Sequence, residues 1–148
     1  MTGIVTTVTL TGLPALERRL ELLARMDIAP LRDEIGALVE SQTRRRIDEE
    51  KQGPDHKAWP AWGPNWAGSR HRGHSLLENE GDLLDSIHFV VSGHDILVGT
   101  NLVYGAIHQF GGAEVGIPIP ARPYLGLSDD NTVELIDQVD AFINRVLQ

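Results

Sequence analysis

Residues 98–127 read VGTNLVYGAIHQFGGAEVGIPIPARPYLGL and combine two kinds of residue that seldom occur together. The segment holds six of the 15 glycines and three of the eight prolines of the chain, and it also carries large apolar and aromatic residues. A disordered linker would lack those apolar anchors, and an ordinary strand would lack the glycines and prolines. The sequence therefore predicts a fixed, irregular path whose anchors are fixed to a core: Tyr104, Ile107, Phe110, Tyr124 and Leu125.

Two short elements are predicted in and before this segment. Apolar runs at 87–91 and 96–99 flank Ser92-Gly93-His94-Asp95, a pattern typical of a β-hairpin. Residues 103–110 can form a short helix that ends at the glycine pair 111–112.

Longer elements follow from hydrophobic periodicity. Residues 4–10 alternate in a β-branched run and predict an opening strand. Leucines at helical spacing over 13–23 predict a first helix, and a second helix of about 20 residues follows from Pro30. A final helix begins near Ser128 or Asn131. Its expected apolar positions are Val133, Ile136, Val139 or Asp140, Ile143, and Val146 or Leu147.

Three tryptophans lie within eight positions, in a stretch without helical or strand period. Loops of this length are usually functional or mobile, so residues 57–75 are predicted to be a mobile loop. We expect Trp59 to cover the edge of the core, and Trp62 and Trp66 to form contacts on assembly. The fold class is α+β in a single domain, 1–148: a small antiparallel sheet packed against a long helix and a C-terminal helix, with a long Trp/Gly/Pro-rich loop.

Composition excludes several classes of protein. With 148 residues and 41% hydrophobic residues, the chain falls in the soluble globular class, and no apolar run approaches the ~20 residues of a membrane span. The absence of cysteine excludes disulfides and thiolate metal sites. A net charge of −8 argues against a general nucleic-acid binder. Residues 126–148 hold five acids and one arginine, a polarity that fits head-to-tail contact between copies.

The run Arg44-Arg45-Arg46 is interpreted as part of a solvated helix face. Acids follow within one turn, so i,i+4 ion pairs can neutralise the run: Arg44–Asp48, Arg45–Glu49 and Arg46–Glu50.

Patterns for catalysis and metal binding are weak. His71 and His74 lie three apart and could hold a divalent ion with help from another histidine, but Gly73 separates them and no carboxylate lies within the motif. Neither Ser69 nor Ser92 stands in a nucleophile elbow, and no glycine-rich phosphate loop is present in the sequence. We therefore expect no catalytic residues, no metal and no cofactor.

Six ordered motifs give the chain a resemblance to a known family. They run from about residue 31 to the C-terminus, and the last two are the most specific: Arg44-Arg-Arg-Ile47, Pro54-Asp-His-Lys-x-Trp59, Gly81-Asp-Leu-Leu-Asp-Ser-Ile87, Val98-Gly-Thr-Asn101, Tyr104-x-Ala-Ile-His-Gln-Phe-Gly-Gly112 and Ile119-Pro-Ala-Arg-Pro-Tyr-Leu-Gly-Leu127. The chain resembles the Mu-like virion morphogenesis proteins, also called tail completion proteins, of long-tailed phages and prophages. It departs from the family pattern at His56, where glycine is expected, and at Gly105, where alanine is usual.

The resemblance implies a structural protein that completes the tail end or neck and enables head–tail joining, as a ring of copies around the DNA channel. Expected partners are the phage tail tube or terminator and head-completion proteins, with passive contact with DNA and none with membrane. The expected location is the virion tail or neck, after assembly in the host cytoplasm. Two alternatives stay open: a DNA-associated or metal-dependent enzyme that uses His71 and His74, and a tail-terminator or neck subunit of a related ring family.

Both the residues and the resemblance indicate an assembly surface. Prolines pre-extend the chain around Arg122, which then either pairs with a neighbouring subunit or clamps its own chain. His108 and Gln109 are expected to hydrogen-bond backbone at the Gly-Gly turn and so to shape the surface. The predicted oligomer interface comprises Trp62, Trp66, His108, Gln109, Pro118, Pro120, Arg122 and Pro123.

Overall fold

The computed structural model describes residue 9, residues 11–68 and residues 73–148. These residues form six α-helices, two strands, one π-helical turn and one 3-10 turn. In chain order they are α1 (Leu13–Ala24), α2 (Ala29–Arg45), a π-helical turn (Arg46–Glu50), α3 (Pro64–Ala67), α4 (Asp82–Ser86), β1 (His88–Ser92), β2 (Asp95–Gly99), α5 (Gly105–Phe110), a 3-10 turn (Ala113–Val115) and α6 (Asp129–Leu147). The α+β class predicted from the sequence is confirmed.

The predicted hairpin is present and forms a two-stranded antiparallel sheet. Ser92 pairs with Asp95, so Gly93 and His94 form the two-residue turn, and Gly93 has the positive φ (+61°) that such turns require. One face of the hairpin, with Phe89 and Val98, packs against α2.

Helix α2 separates the hairpin from α6. Gly36 faces Phe89 so closely that a Cβ at this position would lie 2.2 Å from the Phe89 ring. On the opposite side of α2, Gln42 donates from Nε2 to the Asn131 carbonyl (3.2 Å) and to the Glu134 carboxylate (2.7 Å) of α6. The C-terminal helix thus packs mainly on α2 and α1 and reaches the sheet only across α2.

The apolar phase predicted for α6 is wrong only in the first part of the helix, since Val139, Ile143, Val146 and Leu147 are half-buried as predicted. Val133 and Ile136 are 57% and 55% exposed, whereas Asn131 and Phe142 are buried. Asn131 faces the core because it completes a capping box with Ser128: each residue's side chain accepts the other's backbone N–H. The buried stripe therefore starts at a polar residue, which hydrophobic periodicity alone does not reveal.

Arg46 is the largest fully buried side chain, so the solvated face predicted for the arginine run is wrong at this position. It donates from Nη1 to the carbonyls of Tyr124 (2.7 Å) and Gly126 (3.0 Å), and from Nη2 to Asn131 Oδ1. Burial lowers the pKa of its guanidinium. Arg46 therefore joins the end of α2, the end of the 98–127 segment and the start of α6.

The ion pairs of this run also differ from those predicted. Arg44 pairs with Glu40 (3.2 Å), and Arg45 pairs with Glu50 (3.2 Å) and Glu134 (3.0 Å). The Arg45–Glu50 pair fits the π-helical turn, which brings residues five apart onto one face.

The anchors of residues 98–127 divide into two groups. Tyr124 is 1% exposed and lies in the core with Ile47 and Trp59, and Leu125 packs on that cluster. Phe110, predicted to be in the core, is 79% exposed, and Tyr104 is 41% exposed. Phe110 is the last residue of α5, and its side chain lies away from the face that Gly105 buries.

Trp59 lies at the core edge as predicted, with its indole N–H donating to the Pro123 carbonyl (2.8 Å). Residues 64–67, predicted to lack structure, form one helical turn that begins at Pro64. Proline is favoured at this position because its fixed φ suits the first residue of a helix. A single turn is too short to produce a hydrophobic period.

At His56, where the sequence departs from the family pattern, the backbone conformation agrees with that pattern. His56 has φ +61°, a left-handed backbone conformation that suits the glycine expected there.

The opening strand predicted over 4–10 lies almost wholly outside the described residues. Within the described part of the chain, no helix is long and apolar enough to cross a bilayer.

Candidate functional site

A groove of about 810 Å³ is bounded by the tryptophan loop, which we define as residues 59–68, and by residues 74–83. Helix α5 and the proline arm, which we define as residues 118–123, form its other sides. Eight of its 17 lining residues are tryptophan, tyrosine, proline or aliphatic, and the others are polar or charged residues, histidines and one glycine. The lining residues are Trp62, Gly63, Trp66, His74, Ser75, Leu77, Glu78, Asn79, Glu80, Asp82, Leu83, Tyr104, His108, Pro118, Ile119, Pro120 and Arg122. Six of the eight predicted interface residues are therefore brought together here. The other two are Pro123, the last residue of the arm, and Gln109, which accepts backbone N–H groups just after it.

Arg122 holds the groove's floor to the tryptophan loop. Its side chain is 5% exposed and donates from Nε to the Pro60 carbonyl (2.8 Å) and from Nη2 to the Ala61 carbonyl (2.9 Å). Burial lowers the pKa of this guanidinium. Of the two roles considered for Arg122, the structure shows the clamp within its own chain.

His108 lies half-buried on the α5 wall of the groove. Its ring meets the Tyr104 ring edge-on, with centroids 5.9 Å apart, and its backbone carbonyl accepts the Arg122 N–H (2.7 Å). The buried Nδ1 has no hydrogen-bond partner among the described residues. Burial, helped by the charge of Arg122, lowers the pKa of His108, so the imidazole is neutral at pH 7.

Gln109 fixes the far end of the proline arm. Its Oε1 accepts the backbone N–H groups of Tyr124 (3.0 Å) and Leu125 (2.9 Å). The expected partner was the backbone of the Gly-Gly turn, but the arm folds back beside α5 and supplies the N–H groups instead. Gly112 N–H bonds to the Ile119 carbonyl, which closes that loop without help from a side chain.

The tryptophan and proline side of the groove exposes hydrophobic surface. Trp66 is 72% exposed, Trp62 is half-buried, and Pro118 and Pro120 are exposed. Pro123 is half-buried under the Trp59 indole. Because proline restricts the backbone, the arm presents its apolar surface with little loss of conformational entropy on binding.

Acidic residues line the opposite wall. Glu78 pairs with Lys51 and accepts from Ser75. Burial raises the pKa of the Glu78 carboxyl, but the hydrogen bonds from Lys51 and Ser75 outweigh burial and hold it below its usual value. Glu80 and Asp82 are exposed beside it. The sequence does not reveal this wall, since nothing in the spacing of residues 74–82 shows that they face the arm.

The histidine pair does not form a described metal site. His74 lines the groove, whereas His71 lies outside the described residues. Within the described ranges, no group of three or more His, Cys, Asp or Glu side chains is placed to hold a metal ion.

The sequence profile of the phage virion morphogenesis family matches residues 12–144, which is most of the chain. The chain belongs to this family. It is therefore a phage structural or assembly protein, as the motifs of residues 98–127 predict.

Two relatives agree with this assignment. The virion morphogenesis chain is 30% identical over 123 residues to the G protein of Escherichia phage Mu, which is named for capsid assembly; the match covers 77% of this chain and 78% of that protein. It is 32% identical over 88 residues to the Mu-like prophage FluMu G protein 2 of Haemophilus influenzae. That match covers 57% of this chain and 64% of the relative. No solved structure matches the chain.

A second surface feature of this virion morphogenesis protein is the exposed ring of Phe110. At 3.6 residues per turn, Phe110 lies about 200° around α5 from His108, so it faces away from the groove. Val103, just before the helix, is 92% exposed. The chain therefore presents an aromatic side chain on one side of α5 and an aromatic groove on the other.

Proposed function

We propose that the chain completes the upper end of the phage tail or the neck and thereby enables head–tail joining, as a ring of identical subunits. The family and the Mu relative support an assembly role. In the proposal, the protein acts in the virion tail or neck after assembly in the host cytoplasm. Its partners are other copies, the tail tube or terminator, and the head-completion proteins.

One observation supports the proposal of a ring: Phe110 and the groove lie on opposite sides of the same short helix. Two different patches on one subunit make a heterologous contact, and such contacts close into a ring when the rotation between subunits allows it. Aromatic side chains that fill pockets are the usual anchors of interfaces, which suits Phe110 and Trp66.

The exposed surface of the C-terminal helix is acidic. On α6, Asp129, Asp130, Asp137 and Asp140 are exposed, and Glu134 is already paired with Gln42 and Arg45. This surface repels DNA phosphates, so any contact with DNA in the channel is passive and not sequence-specific.

The test is electron microscopy of a lysate from a phage or prophage in which the gene of this chain carries an early stop codon. Head–tail joining predicts DNA-filled heads and separate tails in normal numbers, with joined virions restored by the wild-type gene on a plasmid. Missing or misshapen heads would show a capsid role instead, and normal joined virions would show that the chain is dispensable for joining.

A further inference from the structure

The two edges of the hairpin are treated differently by the rest of the chain. On the β1 side, the Phe89 N–H donates to the Glu40 carboxylate (3.1 Å), and Arg44 Nη2 donates to the Ile87 carbonyl (2.6 Å). Glu40 and Arg44 also pair with each other (3.2 Å). These two side chains of α2 therefore satisfy backbone groups that a third strand would otherwise bind.

The β2 edge has no such cover. Backbone direction alternates along an antiparallel pair, and the Phe89 N–H points away from β2, so its partner Val98 also directs its N–H and C=O outward. The same holds for Ile96 opposite Val91. No described residue hydrogen-bonds to the outward groups of Ile96 and Val98.

Beyond Asp95, its exposed first residue, this edge lacks the usual protection against pairing. Natural edge strands carry lysine, proline or a bulge, whereas Ile96, Leu97 and Val98 are uncharged and in regular register. On the outer face, Leu97 is 59% exposed and its cross-strand partner Val90 is 49% exposed. An added strand would bury this apolar pair and satisfy the edge at the same time.

We propose that the β2 edge binds residues 2–10 of a second copy of this chain as an added strand. The segment reads TGIVTTVTL; it is uncharged, and all but Gly3 and Leu10 are β-branched. Nine extended residues reach about 30 Å, and the five-residue edge needs only about 17 Å. The proposal extends the ring function above by naming one contact between its subunits.

The path of the chain favours a second copy over the same copy. Residues 2–10 lead into α1, which packs on α6. Helix α6 lies against the side of α2 that carries Gln42, whereas the hairpin lies against the opposite side, which carries Gly36. Helix α1, into which the segment leads, therefore packs on the far side of α2 from the edge that the segment fits.

Two kinds of full-length variant test whether residues 2–10 pair with the β2 edge of a second copy. Val98→Pro removes an outward N–H without breaking the ladder with β1, and the double variant Val5→Pro, Val8→Pro blocks strand pairing by the segment. Ile96→Pro is a second edge variant, since its N–H also points outward. Circular dichroism and thermal unfolding identify the variants that keep the fold, and those are used.

Sedimentation velocity is then measured for each chain and for an equimolar mixture. We expect the wild type to associate as concentration rises, each variant alone to stay monomeric, and the mixture to form a 1:1 dimer. The dimer forms because an intact segment from the edge variant meets an intact edge on the segment variant. Hydrogen exchange at the Ile96 and Val98 amides should slow at least tenfold in the associated wild type.

Three results would overturn the proposal. The mixture could stay monomeric while the wild type associates, or either folded variant could associate like the wild type. The Ile96 and Val98 amides could also exchange at the same rate in dilute and concentrated wild type. All three are read on purified chain, so they are independent of whether the stop-codon lysate shows a joining defect, a head defect or none.

Discussion

At the scale of single residues, Arg46 shows how a charged side chain can organise a fold. Its guanidinium supplies donors to two carbonyls and one carboxamide in the interior, so it replaces a hydrophobic contact at the junction of three elements. A sequence signal for this role exists. Arg46 follows Gln42 by four residues and so continues the buried stripe of α2. Because Arg44 and Arg45 precede it, however, the three arginines are easily interpreted together as a solvated face.

Arg46→Met should destabilise the chain by about 3 kcal/mol, because the buried acceptors lose their donors. Arg45→Met is the matched control. It removes a neighbouring arginine whose ion pairs are partly exposed, so its cost should stay below about 1 kcal/mol. Urea denaturation followed by circular dichroism measures both. Equal costs for the two variants would show that burial of Arg46 has no special energetic role.

At the scale of elements, most of the secondary structure could be predicted, since hairpin spacing and helical periodicity are local. The π-helical turn could not, because it depends on where Arg46 finds its partners. The orientation of α6 could not either, because Asn131 faces inward to complete the capping box with Ser128. The groove forms because the proline arm folds back on α5. Hydrogen bonds of Gln109 and Arg122 hold the arm there, and these join residues that are far apart in the sequence.

At Gly105 in helix α5, we expect side-chain packing to outweigh helix propensity. Alanine is normally better than glycine in a helix by about 1 kcal/mol. In this chain, however, a Cβ on Gly105 would lie 2.5 Å from Thr100 Cγ2 and 2.9 Å from the Tyr124 hydroxyl. We expect Gly105→Ala to destabilise the chain by about 1–2 kcal/mol, as overpacked core positions do.

Thr100→Ser tests the cause. It removes the obstructing methyl group and keeps the hydroxyl, which bonds Ser86 (2.6 Å) and accepts the Leu102 N–H (3.0 Å). The double variant should recover more than half of the loss in a double-mutant cycle of thermal unfolding. Gly99→Ala, where a Cβ meets open space, is the control and should be near neutral. If Gly105→Ala stabilises the chain, the packing argument is wrong.

At the scale of the whole molecule, the family could be predicted from ordered motifs, because six of them in one order are far more specific than any one. The groove and Phe110 could not be placed in advance. Hydrophobicity alone predicts Phe110 in the core, but a helix of six residues has too few positions to indicate which side is buried. Its exposure is what gives the chain two unlike apolar surfaces.

We propose that the groove and Phe110 are the surfaces through which this chain joins heads to tails. The most direct measurement adds purified protein to the lysate that lacks it and counts infectious particles. Wild-type protein should raise the titre by orders of magnitude. Trp66→Ala and Phe110→Ala should restore about tenfold less or lower, because interface aromatics are typical hot spots. Leu20→Ala removes a residue of comparable exposure on α1 and should restore the titre fully. The claim is contradicted if wild-type protein leaves the titre unchanged, or if folded Trp66→Ala and Phe110→Ala proteins are as active as the wild type.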